Sequence, residues 1–270
     1  MKTINLIDVV KSNVKWSISR FPDGEIQITL EDFSRKDEYD VKCRITNTEE
    51  LFILMQVCDI LKRHDVRFYI TIYYLMGMRM DRVMDFNRPF TLKIITNILN
   101  NLGASTIDIF ECHSERTLDL IEKGYEMYNE KWAAFLGDFY NCQTVFPDEG
   151  AVKRYFPDGN VSKDIVIGSK VRDINSGKIT SIKVKNPEVI NPNKRLLVID
   201  DLCDGGGTFV GIAKAIKEIN PDAVIDIAIP HMVNPKGIEN LSKNFNHVYF
   251  SNSYKDWENL PENVTQIDII

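Results

Sequence analysis

The chain has no long apolar run, no cysteine pair at metal-binding spacing, no low-complexity tract and no excess of positive charge. A membrane-spanning helix needs about 20 consecutive apolar residues, and nothing of that length occurs. The opening MKTINLIDVVKSN is interrupted by Asp8 and has no continuous apolar core, so no secretory signal is expected and a cytoplasmic location is. The five cysteines (Cys43, Cys58, Cys112, Cys142 and Cys203) form an odd set without CxxC or CxxH spacing, which argues against a disulfide framework and against a zinc site. With 33 Lys and Arg against 39 Asp and Glu, the formal net charge of −6 excludes wholesale wrapping of nucleic acid, which needs a basic face. What remains is an ordinary globular composition, 44% apolar and 27% charged over 270 residues, enough for two modest cores.

Short β-branched or aromatic runs alternate with segments of helical period, the pattern of βαβ units around parallel sheets, so an α/β fold is expected. In the first half, strands are predicted over 68–73 (FYITIY) and 106–110 (TIDIF). Helices are predicted over 49–62, with Leu51, Leu54, Met55, Cys58 and Leu61 on one face, and over 90–102, ending at Gly103. In the second half, 164–167, 196–199 and 224–229 read as buried strands and 209–219 as the helix joining the last two. The domain boundary is expected near 140, after the Trp132–Phe139 stretch, and residues 173–193, rich in Ser, Lys, Asn, Gly and Pro, read as a hairpin or flap. The FPD triplets at Phe21, Phe146 and Phe156 share no wider register and are not a repeat.

The segment richest in chemistry is LLVIDDLCDGGGTFVGIAKA, residues 196–215. A buried strand ends in two adjacent carboxylates, Asp200 and Asp201. Asp204 and the triplet Gly205, Gly206 and Gly207 follow, and Thr208 opens a helix. Ligands of open α/β sheets bind at that end of the strands. The glycines let backbone N–H groups curl around an anion, and the helix N-terminus adds partial positive charge. The carboxylates would repel a bare phosphate but suit ribose hydroxyls, or a magnesium ion bridging them, beside a phosphate subsite. There is no GK[ST] of a Walker loop and no GxGxxG.

VIDDLCDGGGT resembles the phosphoribosyl diphosphate loop shared by type I phosphoribosyltransferases and phosphoribosyl diphosphate synthetases (ribose-phosphate pyrophosphokinases). Further segments resemble the synthetases alone. RFPDGEI (20–26), read by itself, is a turn. By resemblance it is the loop that holds adenine in a neighbouring subunit's site, with Phe21 stacking on the base and Asp23 and Glu25 taking its polar edge. YYLMGMRMDR (73–82) is similar to the family's nucleotide segment, so that Arg79 would hold ATP phosphates and Asp81 would orient neighbouring groups. Met80 stands where the family has Gln. In IDIFECHSER, His113 matches the histidine that contacts ATP phosphates and magnesium, with Cys112 where the family has an acid. Asp148 in VFPDEG resembles a magnesium-holding acid, as does Asp200. IGSKVRDINSGKI (167–179) is similar to the catalytic flap, whose Lys170 and Arg172, two apart on an extended strand, point the same way toward the reacting phosphates.

The resemblance runs over residues 15–230. It implies two tandem phosphoribosyltransferase-type (Rossmann-like) domains with central parallel sheets: 1–140 binding ATP and 141–270 binding the sugar phosphate, the last strand being open to return to the first domain. It implies Mg2+ as cofactor, a homodimer or hexamer, and no nucleic-acid or membrane partner. The implied reaction moves the β,γ-diphosphate of ATP to the anomeric hydroxyl of ribose 5-phosphate. Gly205 and Gly206 replace larger residues of the family loop, and the chain is similar to short, divergent phage synthetases, some of which act on ADP-ribose, so ADP-ribose is the alternative acceptor. A phosphoribosyltransferase and a catalytically silent regulatory relative are the competing readings.

Overall fold

A computed structural model describes residues 1–172 and 179–270, without the side chains of residues 171, 172, 179 and 180. The chain divides into two compact units, Met1–Tyr128 and Asn129–Ile270.

The first unit comprises β1 (Lys2–Asn5), β2 (Lys15–Arg20), β3 (Ile26–Glu31), β4 (Tyr39–Ile45), α1 (Thr48–Arg63), β5 (Phe68–Leu75), α2 (Thr91–Asn100), β6 (Ile107–Phe110), α3 (Arg116–Leu120) and β7 (Gly124–Met127). β1, β4, β5, β6 and β7 form a parallel sheet in that order, so each helix from α1 to α3 is the crossover between adjacent strands. Asn47 caps α1 by accepting the Glu50 N–H at 3.0 Å, and acids in its first turn and bases in its last complement the helix dipole.

Leu51, Leu54, Cys58 and Leu61 of α1 are buried as expected, but Val57 completes the core and Met55 does not. At 3.6 residues per turn both flank the apolar stripe at about 80° from its centre, so helical period alone does not choose between them. The sheet takes Val57, and Met55 lines a groove with Phe52 and β3. β2 and β3 form a separate antiparallel ribbon, tied to α1 by Gln56, which accepts the Ile28 N–H at 2.9 Å and donates to the Ile26 carbonyl at 3.0 Å.

The second unit comprises α4 (Glu130–Gly137), β8 (Gln143–Phe146), α5 (Glu149–Tyr155), β9 (Val166–Arg172), β10 (Ile179–Val184), β11 (Leu196–Ile199), β12 (Leu202–Cys203), α6 (Gly207–Ile219), β13 (Ile225–Met232), α7 (Pro235–Ser242), β14 (His247–Ser251) and β15 (Val264–Ile267). Its sheet runs β10, β9, β8, β11, β13, β14, β15, and only β10 is antiparallel to its neighbour. Every residue of β13 is buried, as in the middle of a sheet covered on both faces. From β8 the chain moves outward to β9 and β10, then returns to lay β11 on the opposite side of β8. The carboxyl ends of β8 and β11 therefore flank a topological switch point, where open α/β sheets bind ligands.

The division between the units precedes the Trp132–Phe139 stretch after which the sequence reading set it. Those aromatics belong to the second unit, since Phe135 and Phe139 pack on Tyr249 of β14 with ring centroids 5.1 and 5.2 Å away. β15 pairs with β14, so the last strand does not return to the first unit's sheet. The strand expected over 164–167 starts at Val166, because Asp164 is exposed and held in a tight contact by Ser162. Among the described residues no helix is long and apolar enough to cross a membrane.

Gln143, 2% exposed, fastens β8 to the segment leading into β11. Its amide donates to the carbonyls of Asp164 and Val189 at 2.6 and 2.7 Å and accepts the Asn191 N–H at 2.9 Å. Gln143→Leu would strand these backbone groups, at about 1–3 kcal/mol for each that water cannot reach. Urea denaturation is expected to show a loss of roughly 2–4 kcal/mol, and an unchanged midpoint would mean that solvent satisfies them.

Candidate active site

In the first unit, the segments matched to nucleotide binding lie in loops after β5 and β6, at the carboxyl ends of adjacent parallel strands. They are joined by Asp81, which accepts a hydrogen bond from Ser114 Oγ at 2.8 Å and from Arg82 Nε at 2.7 Å. The Arg82 hydrogen bond is the main influence that holds the Asp81 carboxyl down at about 2, so the acid is ionised throughout the physiological range. Ser114 follows His113, so this bond couples the Arg79 loop to the His113 loop. Arg79 is exposed and His113 half-buried. Glu111, two residues before His113, has φ of 47°, a left-handed turn that swings the chain off the end of β6. The RFPDGEI segment is the tip of the β2–β3 ribbon, closed by hydrogen bonds between Phe21 and Glu25 and from Gly24 to Phe21. Phe21 is 50% exposed there, and Asp23 and Glu25 are exposed beside it.

In the second unit, β11 and β12 keep one register against β13: Ile199 is level with Ala228 and Leu202 with His231. The ladder lapses between them, opposite Ile229 and Pro230. Pro230 has no N–H to give, so a single strand breaks there and presents Asp200 and Asp201 at the gap. Below the gap the pairing resumes through His231 N–H to the Asp201 carbonyl at 2.9 Å. The Pro230 carbonyl is secured from the other side by Ser251 and Ser253 hydroxyls at 2.7 and 2.9 Å.

Past β12, Gly206 adopts φ of 76°, and α6 starts without a side-chain cap, leaving its first N–H groups for an anion. Two asparagines of the α7 region hold this loop. Asn234 donates to Asp204 Oδ1 and Asn240 to the Gly205 carbonyl, both at 2.8 Å. A Cβ on Gly205 or Gly207 would meet nothing within 4 Å, so the cradle is open on both sides of Gly206.

Lys170 of β9 forms an ion pair with Asp148 at 2.5 Å. Asp148 also caps α5, accepting the N–H groups of Gly150 and Ala151 at 2.8 and 3.0 Å. Burial pushes its carboxyl up, but Lys170 and the two N–H groups outweigh that and leave it below its ordinary value. The last turn of the same helix carries Arg154, which pairs with Asp200 at 3.1 Å and more tightly with Asp201. Burial, then the Asp201 charge, pushes the Asp200 carboxyl well above the usual range against the pull of Arg154. Helix α5 thus links Lys170 and Asp148 at one end to Asp200 and Asp201 at the other. The Arg172 side chain and residues 173–178 of the flap motif lie outside the described residues.

Sequence reading missed Ser114, Arg154, Asn234, Gly237 and Asn240. Only Asn234 carried a legible signal, an Asn-Pro helix start. Among the described residues no three His, Cys, Asp or Glu side chains converge as a metal cage. The carboxylates of Asp148 and Asp200 nonetheless suit magnesium, which is held by one or two carboxylates plus waters and substrate oxygens. The His113 nitrogen is a softer donor in the other unit.

Gly237 lets α7 close on the loop, because a Cβ there would run into the Asp204 carbonyl oxygen and lie 2.9 Å from Cys203 Sγ. Gly237→Ala is expected to cost about 1–3 kcal/mol in urea denaturation and to speed amide exchange over residues 204–208. Unaltered exchange would show that α7 does not set the loop.

No family model matches the chain. Curated proteins do. It is 27% identical over 246 residues to the ribose-phosphate pyrophosphokinase of Bacillus caldolyticus, covering 84% of this chain and 73% of that one. It is 26% identical over 273 residues to that of Mycoplasma pneumoniae, covering 93% and 81%. Among solved structures, phosphoribosylpyrophosphate synthetase from Mycobacterium smegmatis superposes with a TM-score of 0.74 at 18% identity, over 96% of this chain and 87% of that one. Along most of its length in sequence this chain is similar to ribose-phosphate pyrophosphokinases, and its pair of α/β units has the fold of the synthetase structure.

Proposed function

We propose that the chain is a magnesium-dependent pyrophosphokinase that transfers the β,γ-diphosphate of ATP to the anomeric hydroxyl of ribose 5-phosphate, giving phosphoribosyl diphosphate and AMP. The observation that carries this reading is the arrangement at the switch point of the second sheet. Paired carboxylates and Lys170 are both tied to α5, through Arg154 and Asp148, and a glycine cradle at an uncapped helix N-terminus follows the carboxylates in the chain.

The first unit binds ATP, with Arg79 and His113 on its phosphates and Asp81, through Ser114, keeping their two loops together. Phe21, with Asp23 and Glu25, serves the adenine of a neighbouring subunit, which makes the active form a homodimer or a larger homo-oligomer. Its exposure at a ribbon tip supports that role. In the second unit, Asp200, Asp201 and Asp204 take the ribose hydroxyls, and the N–H groups from Gly205 to Gly207, with Thr208, take the 5′-phosphate. Asp148 and Asp200 would hold the magnesium ion together with substrate oxygens, and the ion supplies positive charge to the diphosphate oxygens.

The anomeric oxygen forms a bond to the β-phosphorus while the bond from that phosphorus to the oxygen bridging the α-phosphate breaks, AMP leaves with that oxygen, and the hydroxyl proton is released to water. Lys170 and Arg172 neutralise the charge that spreads over the transferring group. Chemistry of this kind depends on positioning and charge stabilisation rather than on a protein nucleophile. The Lys170–Asp148 ion pair supports the assignment, since it holds the amine beside a carboxylate proposed for the metal.

ADP-ribose is a second reading for the acceptor. The open space beside Gly205 and Gly207 favours it, because a 5′-diphosphate needs room to continue past the cradle. Mass spectrometry of reactions containing ATP, magnesium and either sugar reads directly which one gains two phosphates. AMP formed with neither sugar present, or no AMP at all, would reject both. Lys170→Ala is expected to cut kcat by about 10²- to 10³-fold while ATP binding, followed by calorimetry, stays within a few-fold. Turnover above a tenth of wild type would remove Lys170 from the mechanism.

A further inference from the structure

Two adjacent carboxyl groups taken out of water call for a cation beside them, because burial and mutual repulsion both weigh against their charge. The Asp200 side chain is 16% exposed and that of Asp201 only 2%. Arg154 is the cation between them. Its Nη1 lies 3.1 Å from Asp200 Oδ1 and closer still to Asp201 Oδ1, and its own side chain is 24% exposed. Asp200 Oδ1 also accepts the Asp201 N–H at 2.9 Å, so the two carboxyl groups are turned toward one nitrogen by a set of short contacts.

We propose that Arg154 is a positioning residue for sugar recognition: it holds Asp200 and Asp201 in one mutual orientation, so that both meet the ribose hydroxyls together. The inference rests on the assignment of these acids to the sugar made under the proposed function. A lysine could supply the charge, but its ammonium is a point charge on a flexible stem, whereas the planar guanidinium holds Nη1 in a fixed direction between the two carboxyl groups. The same helix fixes the distance to the reacting end. Asp148 caps α5 and Arg154 lies six positions on, a separation of about 9 Å at 1.5 Å per residue. The sugar's hydroxyl contacts and the lysine at Asp148 are therefore set from a single rigid element.

The test is steady-state kinetics of the full-length protein, wild type and the variants R154K and R154A, with ribose 5-phosphate varied at saturating magnesium-ATP and ATP varied at saturating sugar. Thermal melting is recorded for each. Removing a residue that orients ligand-contacting groups costs about 10- to 100-fold. The expected result for R154A is a rise of that size in the KM for the sugar, an ATP KM within about twofold and a smaller change in kcat, with R154K intermediate. A purely structural ion pair would lower the melting temperature and leave the sugar KM of the folded variants unchanged, which overturns the proposal. A fall in kcat with both KM values unchanged also overturns it, since Arg154 would then act on the transferring diphosphate. Should R154A fail to fold, R154K decides alone: a several-fold higher sugar KM with normal ATP KM supports the role, and wild-type values refute it. Wild-type protein that releases no AMP with either ribose 5-phosphate or ADP-ribose rejects the underlying reaction itself, a result separable from any behaviour of the variants.

Discussion

The constraint on which the second unit turns is the burial of two neighbouring carboxylates at the end of a parallel strand. Acidic groups in such a setting need both a cation beside them and a reason for the backbone to present them. Arg154 is the first and the lapse opposite Pro230 is the second. Neighbouring features follow from that arrangement. Helix α5 must come close enough to deliver a guanidinium, which brings its capping Asp148 to the switch point, and Asp148 in turn draws Lys170 from β9. The glycine cradle is clamped from the far side by Asn234 and Asn240.

The first unit solves a milder version of the same problem. Asp81 is paired with an exposed arginine and a serine, which keeps it charged and lets it bridge two loops instead of burying it. Both units put their polar chemistry at the carboxyl ends of parallel strands. Among the described residues only the second has a reversal of strand order there, and the helix that follows it, α6, is uncapped.

Elements whose signal is local were legible. The stripe on α1, the β5 and β11 strands and the Gly205–Thr208 turn could be read because periodicity and glycine content need no partner to be seen. β4 was not read as a strand although Tyr39, Val41, Cys43 and Ile45 alternate with Asp40, Lys42 and Arg44 in the strand period, a local signal that was present and passed over. The choice of Val57 over Met55 depended on where the sheet lies. Arg154 was hidden for the same reason: two adjacent acids predict that some cation must approach, but 33 lysines and arginines are candidates, and only the fold selects one 46 positions away. Resemblance reached further than pattern, because it marked Lys170, Asp148 and the two acids as belonging together. It did not disclose that one short helix joins them.

The break beside Pro230 originates in a missing donor rather than in a side chain pushing strands apart. A proline cannot supply that donor in any conformation, so the notch is written into the covalent chain and only a change of residue at that position could close it.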